Sequence, residues 1–179
     1  DLAGATFGCV GLGRIGRATA GMAAALGMQV IYNDAFANSD EYHQVDLDEL
    51  LGTADVVSLH VPLTAETRGM IDTAAIDRMK PDALLINTAR GPIVRTDDLL
   101  AALSRGQLGG VGLDVTDPEP LPSGHPLYAF DRVTIVPHIA SATSVTRHRM
   151  SRLAAENVIA ALTGSQPPNC LNPEVLSRG

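Results

Sequence analysis

The 179 residues are 45% hydrophobic, enough chain to bury a proper core and a length that favours one domain, so a lone helical peptide or linker is excluded. A formal net charge of -7, from 20 acidic and 13 basic residues, argues against a long basic track for a nucleic-acid backbone, though local cations can still hold a small anion. No apolar run approaches the ~18 residues of a membrane span and no charged-then-apolar leader precedes the first strand, so a soluble, cytoplasmic protein is expected.

Asp1 opens the chain without a Met, and an apolar strand follows at once, which reads as a cut at a domain boundary. Ala5 to Val10 is the first strand, and Ile15 to Leu26 a helix closed by Gly27, where glycine can take the left-handed C-cap conformation. Met28 to Asn33 is the second strand, Asp46 to Leu51 a short helix, Asp55 to His60 the third strand and Thr73 to Met79 another helix, stopped by Pro81. Ala83 to Asn87 is a fourth strand, continuously apolar as befits a sheet covered on both faces. Thr96 is expected to cap the next helix, with Asp97 and Asp98 facing its positive end.

Gly109 to Val115 reads as strand five and Val133 to Val136 as strand six, ended by Pro137, while the Pro-rich stretch 117–126 between them cannot be a central strand. Thr143 to Leu162 carries Met150, Leu153, Ala154, Val158 and Ala161 at helical spacing. The alternation of strands and helices makes the chain α/β with a parallel sheet. A domain over 1–165 is expected, followed by an irregular tail, 166–179, with Pro167, Pro168 and Pro173. Cys9 sits in an apolar strand far from Cys170, so two free thiols are expected.

Gly11-Leu12-Gly13-Arg14-Ile15-Gly16 matches G-x-G-x-x-G between a strand and a helix, the context in which glycines let a pyrophosphate approach unpaired N–H groups. Asp34 ends the second strand at the spacing where an acid takes the ribose hydroxyls of NAD; it would repel a 2′-phosphate. No Arg or Lys lies between Arg17 and Arg68, so NAD is favoured over NADP.

Ligands of an open parallel sheet bind beyond the carboxyl ends of its strands. There the sequence places Arg90 after strand four, Asp114 and Glu119 after strand five, and His138 after strand six. Each alone also fits an ordinary surface role; their shared rim points to chemistry. An arginine fork can hold a carboxylate and polarise the neighbouring carbonyl. A histidine can exchange a proton with a developing alkoxide, and an adjacent carboxylate would orient it.

The ordered blocks Val10–Gly16, His60-Val61-Pro62-Leu63-Thr64 with Thr67, Ile86–Gly91, Gly112–Val115 with Pro118-Glu119-Pro120, and Pro137–Thr143 resemble the D-2-hydroxyacid dehydrogenase family over nearly the whole chain. The resemblance implies a Rossmann-type doubly wound parallel sheet in three α/β/α layers, with Arg90, Glu119 and His138 as catalytic residues. It implies cofactor contacts from Gly11, Gly13, Arg14, Ile15, Gly16, Asp34, Pro62, Thr67, Thr88, Ala89, Arg90, Asp114 and His138, and a nicotinamide or substrate contact from Ser141.

The run Asp114–Pro122 with His125-Pro126-Leu127 looks most like glyoxylate/hydroxypyruvate reductases, although members using NADPH carry a basic residue where Asp34 stands. The family also implies a small 2-oxo or 2-hydroxy acid substrate, a homodimer joined through the cofactor domain, and a tail returning to a substrate domain mostly absent here. Such a piece should bind NAD yet turn over little substrate. An NAD-sensing corepressor module and a phosphoglycerate or formate dehydrogenase remain alternatives. His60 reads as a packing residue near the cofactor; His43, His125 and His148 receive no role. No metal is expected, since no ligand spacing suits one.

Overall fold

A computed structural model describes residues 1–177, which form two compact units, Asp1–His138 and a second beginning at Ile139. In the first unit seven strands form one sheet: β1 (Thr6–Val10), β2 (Gln29–Asn33), β3 (His43–Gln44), β4 (Val56–Leu59), β5 (Leu84–Asn87), β6 (Gly110–Leu113) and β7 (Val133–Ile135). Their order is β3-β2-β1-β4-β5-β6-β7, every pair parallel, so the order reverses between β1 and β4. The helices are α1 (Arg14–Ala25), α2 (Leu47–Thr53), α3 (Thr73–Arg78) and α4 (Thr96–Ser104).

Alternation along β1 builds a core on each face. Phe7 and Cys9 pack with Leu12, Ala20, Ala23 and Tyr32 on the α1 side. Val10 points the other way, among Leu50, Leu51, Ile76 and Leu99 from α2, α3 and α4. Gly8 is small for a reason: a Cβ there would stand 2.7 Å from Leu50. Each fully buried leucine contributes about 1.5–3 kcal/mol of transfer free energy.

The register fixes where the strands stop. Asn33, Val10, Leu59, Asn87, Leu113 and Ile135 are paired as one row across the sheet. The next residue of each chain segment, Asp34, Gly11, His60, Thr88, Asp114 and Val136, is the first beyond the ladder. Parallel pairing puts all six at the same edge.

Two local expectations are corrected. The cap of α4 is Arg95, not Thr96; Thr96 is the first helical residue, and its hydroxyl donates to the Asp117 carbonyl at 2.7 Å instead of to its own helix. His43 lies in a strand beyond the six expected: β3 extends the sheet to a seventh strand because Ile31 and Tyr32 offer β2's open edge to it.

In the second unit, α5 (Ser144–Leu162) starts at Thr143, whose Oγ1 accepts from the Thr146 N–H at 3.1 Å. It buries none of its residues. Asn157 and Asn169 exchange two hydrogen bonds of 3.1 Å, fastening the following turn to the helix. Among the described residues no helix is long and apolar enough to cross a membrane.

Candidate active site

Every expected site residue of the first unit lies in the Gly-rich turn, in the first turn of α1, at a strand tip or in a loop leaving one. Gly11, at φ +95°, turns the chain off β1 where a side chain would strike the backbone of His60 and Val61 at 2.8 Å. Gly16 presses its Cα on the same turn, since a Cβ would sit 2.0 Å from the Gly11 carbonyl. Gly13 differs: a Cβ there meets nothing within 4 Å. Protein packing therefore does not demand glycine at 13, whereas close approach of a ligand would.

Gly13 is the N-cap of α1 without a side-chain cap, and the first turn holds no acid. The Arg17 N–H makes the helix's opening bond to the Gly13 carbonyl, so the preceding N–H groups face outward as an anion cradle. These features fit a dinucleotide's pyrophosphate.

Asp34 ties two turns together. Its Oδ2 accepts from the Leu12 N–H at 2.6 Å, and its Oδ1 from Phe36 and Ala37 N–H at 2.7 and 2.8 Å. Burial pushes its pKa up, but the three N–H donors and the Arg17 charge outweigh it and hold the carboxyl below its usual range. With about four acceptor positions on a carboxylate, room is left for one further donor such as a ribose hydroxyl. Beneath it, burial and the Asp34 charge push the Cys9 thiol up to about 12, so it is inert.

Thr88, Ala89 and Arg90 leave β5 in a turn shaped by buried Asn87. Its Nδ2 donates to the Arg90 carbonyl at 2.9 Å and its Oδ1 accepts from the Ala89 N–H at 3.0 Å. They line a groove of about 490 Å³ with Ile15, His60 and Pro62. The Arg90 guanidinium lies back on the Ala89 carbonyl at 2.6 Å. His60, also in this groove, meets the Ser58 hydroxyl at 2.9 Å, and burial lowers its pKa. Thr67 uses its hydroxyl within its own loop, donating to the Pro62 carbonyl at 2.6 Å.

Asp114, Glu119 and His138 share a second cavity of about 420 Å³, floored by Leu121, Ile135 and Val136. His138 Nδ1 stands 2.7 Å from Glu119 Oε1, both side chains about half exposed. The histidine backbone is left-handed, φ +52°, and its N–H donates to the Asp114 carbonyl at 2.9 Å. A non-glycine residue held this way costs about 1–3 kcal/mol and is typical of functional positions.

Of the three groups expected to converge, Glu119 and His138 touch, while Arg90 lines the other cavity. Ser141 belongs to the second unit. Sequence reasoning missed Asn87 as the shaper of the Arg90 turn, though an Asn at a strand end is a turn signal. It also missed the Thr96 contact.

A doubly wound parallel sheet whose first glycine-rich turn sits at the reversal of strand order defines a dinucleotide-binding domain. The chain belongs to the D-isomer specific 2-hydroxyacid dehydrogenase family, whose NAD binding domain matches residues 1–140. It is 48% identical over 98% of its length to a glyoxylate reductase of Thermofilum pendens, covering 54% of that protein. It also resembles the crystal structure of the TT0316 protein of Thermus thermophilus, at 53% identity and a TM-score of 0.92, covering 96% of this chain and 55% of that one. D-lactate dehydrogenase with NAD+ from Lactobacillus jensenii superposes at a TM-score of 0.85 with 32% identity, over 92% of this chain and 54% of that one. The chain thus spans about half the length of the curated relatives it matches.

Proposed function

We propose that this chain is the cofactor half of an oxidoreductase that moves a hydride between NAD and a D-2-hydroxy acid or its 2-oxo acid, of the glyoxylate/hydroxypyruvate type. The observation that carries the reading is the Glu119–His138 pair at 2.7 Å, built at the strand tips of a sheet with an open Gly-rich cradle. With Nδ1 held by the carboxylate, Nε2 is the nitrogen left to give a proton to the substrate's oxygen in reduction and take it back in oxidation. Arg90, swung off Ala89, holds the substrate carboxylate through its planar fork. When bound, the nicotinamide supplies the hydride.

Gly11, Gly13, Gly16, Arg14 and Ile15 cradle the phosphates; Asp34 takes a ribose hydroxyl and disfavours a 2′-phosphate, so NAD is used in preference to NADP. Pro62, Thr67, Thr88, Ala89, Asp114 and Ser141 contribute the remaining cofactor contacts. Residues 1–165 form the cofactor domain, 166–179 return toward a substrate domain, and two copies pair through the cofactor domain in a reducing cytoplasm. The family match over residues 1–140 supports the cofactor domain.

The test is a panel of glyoxylate, hydroxypyruvate and phenylpyruvate on the complete protein with NADH and NADPH in parallel. Reduction by NADH is expected, with His138→Asn lowering kcat about 10²–10⁴-fold while NADH still binds. Failure of every acid to oxidise either nicotinamide overturns the reading; a clear preference for NADPH overturns the cofactor assignment.

A further inference from the structure

The loop that carries Glu119 is held without its own backbone donors. Pro118, Pro120 and Pro122 alternate through it, and proline brings no N–H. Among the described residues, no N–H of residues 116–121 reaches a backbone carbonyl; the nearest backbone tie is the His125 N–H to the Pro122 carbonyl at 3.0 Å. Something else must fix the loop if the carboxylate it presents is to meet His138 Nδ1 at 2.7 Å.

Hydroxyls supply the fixing. Thr116, only 9% exposed, donates from Oγ1 to the Pro118 carbonyl at 2.8 Å. Thr96, on the first turn of α4, donates to the Asp117 carbonyl at 2.7 Å. These carbonyls belong to the two peptide planes directly ahead of Glu119, so locking them sets the direction in which its side chain leaves the backbone. From the other side Gly91 closes on the loop, where a Cβ would stand 1.9 Å from the Thr116 carbonyl. The Arg90 turn and the Glu119 loop therefore brace one another. Tyr128 adds a longer contact, 3.4 Å, to the Leu121 carbonyl.

We propose that Thr96 and Thr116 are positioning residues: their hydroxyls hold the peptide planes before Glu119 so that its carboxylate meets His138 Nδ1, with α4 as the strut. The catalytic consequence rests on the reading of His138 given above; the geometric one does not.

Thr116→Val and Thr96→Val keep shape and remove the hydroxyl, and the serine variants restore it. Two readouts are taken on the complete protein: steady-state kinetics with NADH and a 2-oxo acid, and the nitrogen-15 imidazole shifts of His138, which report the ring nitrogen that carries the proton. Each valine variant is expected to lower kcat about fivefold with the KM for NADH unchanged. The imidazole should shift from the Nδ1–H tautomer toward a mixture, and serine should return both values to the parent's. Valine variants with parental imidazole shifts overturn the proposal, as do serine variants no better than valine, which would make the contact one of shape. A protein that reduces no 2-oxo acid defeats the dehydrogenase reading, yet the imidazole shifts still decide the clamp.

Discussion

The Asn87 side chain makes two hydrogen bonds from a fully buried position, and both go to the turn that presents Arg90. Removing its amide takes one donor from the Arg90 carbonyl, which keeps the Ile93 N–H at 3.2 Å, and the acceptor from the part-buried Ala89 N–H. Asn87→Ala is expected to cost about 1–3 kcal/mol, read from urea denaturation midpoints. A parental midpoint would mean that the turn holds itself. The neighbouring logic at Asp34 is different: its carboxylate joins the Gly-rich turn to the turn after β2, so one side chain shapes the rim as well as meeting a ligand.

At the level of elements, the glycines of the first turn separate packing from ligand approach. Gly13→Ala is expected to fold with a Tm within a few degrees of the parent, since its φ of -69° suits alanine and a Cβ has open space, while NADH binding weakens. Gly16→Ala must displace the Gly11 carbonyl, and is expected to lower Tm and binding together. Calorimetry and NADH fluorescence on both variants check this; equal loss of stability in the two would refute the distinction.

The six longer strands and the helices α1 to α5 were legible from apolar runs and period, because each follows a pattern that is local. β3 was not: His43 and Gln44 are two polar residues that become a strand only through the edge of β2. The Thr96 error has the same root, as its hydroxyl is claimed by a carbonyl 21 residues away rather than by its helix. Within the candidate site, motif order brought Glu119 and His138 to one rim, but separation of Arg90 into a second cavity depends on a side-chain path that no spacing encodes.

For the molecule as a whole, the groups lowered on folding act in one direction with pH at and below neutrality. His60 is lowered from 6.5 by burial, and Asp34 and Asp55 are lowered from 3.8. In Asp55 the cause is Lys80, bonded at 2.7 Å, with the Thr6 N–H second. Each group binds fewer protons folded than unfolded, so each contributes stability above its unfolded pKa that is lost as pH falls through the folded one. The urea midpoint should hold near neutrality, begin to fall just below pH 6.5, and fall again below about 3.8. His60→Gln should erase the first step; a midpoint that rises from pH 7 to 5 would contradict the assignment.

The straight final row of the sheet makes each of its six longer strands a ruler cut to one mark. Deleting a single residue inside β5 would draw Thr88 back into the ladder and turn the following side chain to the opposite face. Sequence drift in length is therefore tolerable only past that mark, in the loops, where added residues alter reach without changing which atoms face the groove.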